Sequence, residues 1–142
     1  MSTLVSYAEV EVGQPLPTRS FPITRADLVR YAGASGDFNP IHWNQRFARG
    51  VGLPDVIAHG MFTMAVAARA VTDWVGDPGA VVEYGVRFTK PVVVPDDDPG
   101  ALVEVEAVVA DKLGDNLVRV DLTARSAGEK VLGMARAVVR LS

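Results

Sequence analysis

The segment Gly60–Trp74, GMFTMAVAARAVTDW, constrains the fold more than any other part of the chain. Alanine, valine and methionine fall on every face of a helix drawn through it, and Arg69 is the only charge before Asp73. A helix apolar all round has to be enclosed by the rest of the protein. Four runs of strand character follow and supply the enclosure. Ala80–Val94 is rich in Val, Tyr and Phe. In Ala101–Lys112, Val103, Val105 and Ala107 alternate with Glu104, Glu106 and Val108. In Asn116–Ser126, Val118, Val120 and Leu122 alternate with Arg119, Asp121 and Thr123, and Lys130–Leu141 closes the chain. Gly114-Asp115 and Ala127-Gly128 are predicted hairpin turns, and Pro95–Gly100 a longer acidic loop. Consecutive strands joined by short turns predict an antiparallel sheet. The fold class is therefore α+β, a curved antiparallel sheet wrapped around one long apolar helix.

The first half of the chain reads differently. Ala8–Val12 alternates weakly and predicts a short strand or extended lead-in, ended by Gly13 and two prolines. Thr24 and Asp27 resemble a capping box with Asp in place of Glu, starting a helix in which Leu28, Tyr31 and Ala32 share a face. Gly33 and Gly36 are expected to end it. Pro40 discourages helical geometry at Asn39, so Asp37–His42 is predicted as an irregular loop, with a short helix over Asn44–Arg49. With 142 residues, no repeat and no linker, residues 1–142 form one domain with room for a sizeable core.

Composition excludes several classes. There is no cysteine, which removes disulfides, thiol nucleophiles and zinc-finger ligands together. A formal charge of −3 without a basic tract offers nothing to nucleic acid or an anionic membrane. The run around Met61–Val71 falls short of the ~20 apolar residues that span a bilayer, and the N-terminus shows no signal-peptide pattern. The expectation is a soluble cytoplasmic domain.

The chemistry-bearing residues lie in Tyr31–Ala48, YAGASGDFNPIHWNQRFA. Asp37 and His42 stand five residues apart, with Asn39 and Pro40 between them. A carboxylate and an imidazole held by a rigid turn share one water, which is what adding or removing water across a carbon–carbon double bond requires. Singly, such an Asp caps a turn and such a His is a packed polar group more often than either is catalytic. Asn39 has two readings, an orienter of the water or of His42, or a turn residue before proline. Ser35 and Gly36 shape the loop. Gly60 sits where a helix N-terminus leaves an amide unpaired at the positive end of its dipole, which suits an oxyanion donor; its alternative is a glycine needed for packing. His59 is a supporting or N-cap residue, and its spacing from Asp37 and His42 is weak evidence for a metal. Met61, Phe62, Met64 and Val66 form core or line a substrate tunnel, which their chemistry does not distinguish. Arg87 and Lys90 are candidate phosphate contacts, and Asp96–Asp98 a solvated loop. No Gly-rich phosphate loop or nucleophile elbow is present.

Tyr31, Ser35, Gly36, Asp37, Asn39, Pro40, Ile41, His42 and Ala48 together resemble the motif of the MaoC-like (hydratase 2) R-specific enoyl hydratases. Ala58-His59-Gly60-Met61 has the AHGM form that opens the central helix in that family. The chain start, VGDPGA at Val75–Ala80 and the following YGVRF look like the catalytic β-type subunit of actinobacterial (3R)-hydroxyacyl-ACP dehydratases. The resemblance implies a hot-dog fold and reversible hydration of trans-2-enoyl thioesters to (3R)-3-hydroxyacyl thioesters, without metal or redox cofactor. It assigns Asp37 and His42 the acid–base work and the Gly60 N–H the thioester oxygen, with Asn39, Ser35, His59 and Met61 binding or orienting substrate. It leaves open which of the pair is the base. The implied partners are an acyl thioester, carried by CoA or acyl-carrier protein, and a second hot-dog subunit, in a homodimer or a heterodimer. A hot-dog thioesterase and a non-catalytic acyl-binding subunit are the alternatives.

Overall fold

The computed structural model describes residues 5–142. Thr24 and Asp27 form the anticipated capping box: the Thr24 hydroxyl accepts from the Asp27 amide and the Asp27 carboxylate accepts from the Thr24 amide. The helix so started, α1 (Arg25–Ser35), buries Leu28 and Ala32, with Tyr31 half-buried beside them. It runs through Gly33 and stops at Gly36, whose φ of 78° is left-handed and whose N–H returns to the Ala32 carbonyl. One glycine ends the helix because only position 36 needs the backbone turned over. A 3₁₀ turn (Pro40–His42), α2 (Gln45–Gly50) and α3 (Gly60–Val75) follow.

The strands are β1 (Arg19–Ile23), β2 (Val81–Phe88), β3 (Ala101–Gly114), β4 (Leu117–Ser126), β5 (Glu129–Lys130) and β6 (Leu132–Arg140). They form one antiparallel sheet in the order β1-β3-β4-β6-β2, with β5 paired to β4. Val103, Val105, Val109, Val118, Val120, Ala124, Ala137 and Val139 are buried on its inner face, under α3. Their branched or small side chains make a pleated surface that a helix rich in alanine can approach closely. Tyr84 of β2 donates its hydroxyl to the Met64 carbonyl on α3 at 2.7 Å. Burial pushes its pKa up to about 12, so it stays a hydrogen-bond donor at any working pH. Long helix and curved sheet together make a hot dog.

Four sequence expectations change. The sheet does not enclose α3 completely. Thr63, Val66, Ala67, Ala70, Val71 and Val75 are buried, whereas Met61, Ala65 and Arg69, four residues apart, lie on an open stripe. One sheet covers only one side of a cylinder, and Arg69 tolerates the open side by laying its guanidinium 4.9 Å from the Phe21 ring centre. Ala8–Val12 is not a strand; its place at the sheet edge belongs to β1, which tolerates Pro22 because an edge strand can spare an N–H. The lead-in is held instead by Lys112, whose ammonium donates to the Tyr7 and Val10 carbonyls at 2.7 and 3.0 Å.

The hairpin between β3 and β4 turns on Asp115-Asn116, with φ of 54° and 62°, because Gly114 still pairs with Leu117. Ala127-Gly128 turns as expected, with φ of 51° and 78°. Finally, β2 and β3 are consecutive but not neighbours. The chain between them crosses the molecule beside the segment entering α3, with Ala58 N–H on the Val92 carbonyl and Val94 N–H on the Val56 carbonyl, both at 2.9 Å. That crossover builds a wall of the site described below. Among the described residues no helix is long and apolar enough to cross a membrane.

Candidate active site

Short polar side chains build the motif loop, each bonding a backbone amide two residues on. Ser35 Oγ accepts from Asp37 N–H (3.1 Å), Asp37 Oδ1 from Asn39 N–H (3.1 Å), and Asn39 Oδ1 from Ile41 N–H (3.2 Å). Pro40 then opens the 3₁₀ turn, and His42 N–H returns to the Asn39 carbonyl at 3.0 Å. This relay consumes one carboxylate oxygen of Asp37 and sets the other, Oδ2, 3.8 Å from His42 Nε2. At 3.8 Å the two do not bond directly, yet one water reaches both. His42 is buried, while the Asp37 side chain is 50% exposed.

The proton positions on His42 follow from its partner. Nδ1 lies 2.7 Å from the Ile57 carbonyl, which only accepts, so Nδ1 carries a proton and any lone pair on the ring is presented at Nε2. Ile57 is itself tied back, its N–H donating to the Ile41 carbonyl at 3.1 Å. The imidazole is thereby held with its Nε2 facing Asp37.

His59 occupies the N-cap position of α3 without capping it. Its Nε2–H donates instead to the Asp37 carbonyl at 3.1 Å, and its ring stacks on His42 with centroids 3.8 Å apart. Tyr31 packs edge-on at 4.7 Å and stacks on Phe62 at 5.0 Å. The remaining nitrogen, Nδ1, is buried with no partner among the described residues. Such an atom costs about 1–3 kcal/mol. Burial is the main cause lowering the His59 pKa below its ordinary 6.5; His42 nearby lowers it further, while the Asp37 carbonyl bond and the Asp37 charge pull the other way.

An apolar cleft of about 390 Å³ opens beside the pair, lined by His42, Gly60, Thr63, Phe88, Lys90 and Val92 among others. Gly60 begins α3, where the first amides lack intrahelical acceptors. A Cβ at Gly60 would meet the Phe88 ring at 3.1 Å. Asp37 does not line the cleft and meets it only at His42. Arg87 lies elsewhere, in a hollow of about 710 Å³ on the outer sheet face with Arg119 and Arg136. Of the two candidate phosphate contacts, only Lys90 stands at the cleft.

Asp37, His42 and His59 offer ligand atoms within 4.8 Å of one another. Ligands 2.0–2.1 Å from a tetrahedral zinc would lie about 3.3 Å apart, and His59 Nε2 uses its proton on the Asp37 carbonyl. Stacked imidazole rings do not converge their lone pairs on one point, so the trio as arranged does not fit a metal.

The MaoC like domain family matches residues 8–127. This chain belongs to that family. Within the MaoC-like group it is 46% identical over 81 residues to 3-hydroxyacyl-thioester dehydratase X of Mycobacterium tuberculosis, covering 57% of this chain and 28% of that protein. It is 31% identical over 121 residues to 3-hydroxybutyryl-CoA dehydratase of Methylorubrum extorquens, covering 84% of this chain and 73% of that protein. The structure superposes on R-hydratase PhaJ1 from Pseudomonas aeruginosa with a TM-score of 0.83 and 32% identity, over 99% of this chain and 87% of the other. Thus the chain spans less than a third of the Mycobacterium relative but most of the other two.

In this MaoC-like chain the predicted residues separate into groups. Asp37, His42, His59 and Gly60 converge. Ser35 and Asn39 stand one step back and hold the loop through backbone amides. Met61 is 59% exposed and outside the cleft. Sequence reasoning missed the Ile57 carbonyl that sets the His42 tautomer, and Phe88 with the crossover strand as cleft wall. A backbone carbonyl leaves no signature in residue type, and the crossover is a property of strand order.

Proposed function

We propose that the chain is a hydro-lyase that adds water reversibly to trans-2-enoyl thioesters, giving (3R)-3-hydroxyacyl thioesters. The observation that carries this reading is the 3.8 Å gap between Asp37 Oδ2 and His42 Nε2 at the edge of an apolar cleft. A water seated beside the pair, off the line joining them, donates one hydrogen bond to each. As its oxygen bonds C3, one proton passes to His42 Nε2, and the π pair moves onto the thioester oxygen. The Gly60 N–H, at the positive end of α3, receives that negative charge. Collapse of the enolate takes the proton from His42 to C2, so one water supplies both added groups. Asp37 stays ionised, fixes the water and faces the imidazolium while it exists. The named activities of the Mycobacterium, Methylorubrum and Pseudomonas relatives support the same reaction class.

The direct test is loss of enoyl absorbance when purified protein meets crotonyl-CoA. Release of free thiol instead marks a thioesterase, and neither signal marks a binding subunit. Two variants probe the cleft. Gly60→Ala should lower kcat/KM by roughly tenfold or more, since the added methyl holds the thioester oxygen off the amide; loss of a whole oxyanion donor costs ~10²–10³. Its thermal midpoint should hold, because the exposed Phe88 ring can yield the little room the methyl needs and alanine suits a helix better than glycine. Lys90→Ala should raise KM for CoA thioesters about threefold with kcat unchanged, as an exposed ion pair contributes ~0.2–1 kcal/mol. The rise should vanish at high salt.

The reading includes a second hot-dog subunit, identical or related, at the free edge of β2. That edge exposes Val82 and Phe88, and Phe38 and Trp43 lie open beside the half-exposed Asp37, joined by the Trp43 indole N–H on the Phe38 carbonyl. Covering these surfaces would dry the site. Native mass spectrometry of the purified chain separates self-association from a need for a different partner.

A further inference from the structure

His59 touches each part of the site without lining the cleft. Its Nε2–H holds the Asp37 carbonyl at 3.1 Å, its ring stacks on His42 at 3.8 Å, and its own carbonyl precedes the Gly60 amide in the chain. Twenty-two residues separate it from Asp37, so this hydrogen bond ties the Asp37 end of the motif loop to the N-terminus of α3, as the Ile57 bonds tie its His42 end. Stability alone does not explain an imidazole here. A phenyl ring would stack on His42 and Tyr31 equally well and would strand no buried Nδ1. What only the imidazole supplies among aromatic side chains of this size is a donor aimed at the Asp37 backbone.

We propose that His59 is a positioning residue: its Nε2–H, on a ring packed against His42 and Tyr31, sets the backbone of Asp37 and so the width of the Asp37–His42 gap. This rests on the hydro-lyase reading for its kinetic consequence and on geometry alone for its tautomer. Shifting the carboxylate by even an ångström would let the shared water lose one of its two partners. His59 does not touch the cleft, so it acts on turnover and not on substrate binding.

Two substitutions separate donor from ring. His59→Phe keeps the ring and removes the donor; His59→Gln keeps an N–H at similar reach and removes the ring. In crotonyl-CoA hydration, kcat in His59→Phe should fall about twentyfold or more, while His59→Gln stays within about fivefold of the parent; KM should change less than about twofold in both. Activity of His59→Phe near the parent level, a kcat for His59→Gln no better than for His59→Phe, or a KM rise matching the kcat loss would overturn the proposal. Nitrogen-15 NMR of the unsubstituted protein at pH 7 tests the tautomer without any turnover. His59 should show a protonated Nε2 and a bare Nδ1, and the opposite tautomer sinks the proposal even if a variant does not fold. If the unsubstituted protein hydrates no enoyl thioester while NMR shows the expected tautomer, the proposed activity fails and the positioning geometry stands.

Discussion

Replacing His42 with alanine is expected to lower the proposed kcat on crotonyl-CoA by ~10²–10⁴-fold, and Asp37→Asn to lower it by ~10²-fold or more. The two losses have different origins. Without His42 no lone pair faces the water, and the Ile57 carbonyl loses its donor. Asn at 37 keeps the side-chain oxygen that receives the Asn39 amide, so the loop holds its shape, but the charge facing His42 Nε2 is gone. Asp37→Asn should raise KM only slightly, because the carboxylate does not line the cleft. The double variant should be little slower than His42→Ala alone, since both groups act on one water. Initial rates of enoyl loss at saturating substrate measure all three. Near-normal turnover in either single variant refutes the assignment.

Gly100→Ala is expected to destabilise the fold by about 3 kcal/mol or more, lowering the thermal midpoint by roughly 10 °C. Gly100 has a φ of 68°, and a Cβ there would sit 2.2 Å from the Ile23 carbonyl oxygen and 2.8 Å from its carbon. Backbone cannot swing away as a side chain does, so β1 would have to separate from the start of β3, where Ile23 pairs with Ala101. Thr24, the cap of α1, follows directly, and the disturbance would reach the helix that delivers Asp37. Gly33→Ala is the matched control: nothing lies within 4 Å of its added carbon and it sits inside α1. It should stabilise by ~0.5–1 kcal/mol. Equal midpoints for the two variants would contradict the contact geometry at Gly100.

The parts of the site legible in the sequence are those made by neighbours in the chain. Ser35, Asp37 and Asn39 each bond an amide two residues ahead, and Thr24 with Asp27 bond across three, so residue type and spacing suffice to foresee them. The Asp37–His42 pairing belongs to the same class, being the two ends of one proline-stiffened turn. The strands of the second half were equally readable, because alternation of Val with charged residues records which side of the sheet meets α3. β1 was not readable: RSFPI is short, contains a proline and becomes a strand only because β3 offers it a partner.

Composition and local spacing thus determined the hot-dog class, the acid–imidazole pair and the glycine that opens the central helix. Tertiary structure alone decided that Ile57 fixes the His42 tautomer, that His59 reaches the Asp37 carbonyl, and that the β2-to-β3 crossover walls the cleft. It also decided that α3 keeps one stripe open, with Met61 on it. The physical reason is the same throughout. A turn or a cap is a contact between residues two to four apart, whose geometry the backbone already limits. A carbonyl accepting from an imidazole fifteen or twenty-two positions away has no such limit, and is specified only when the whole sheet closes on the helix.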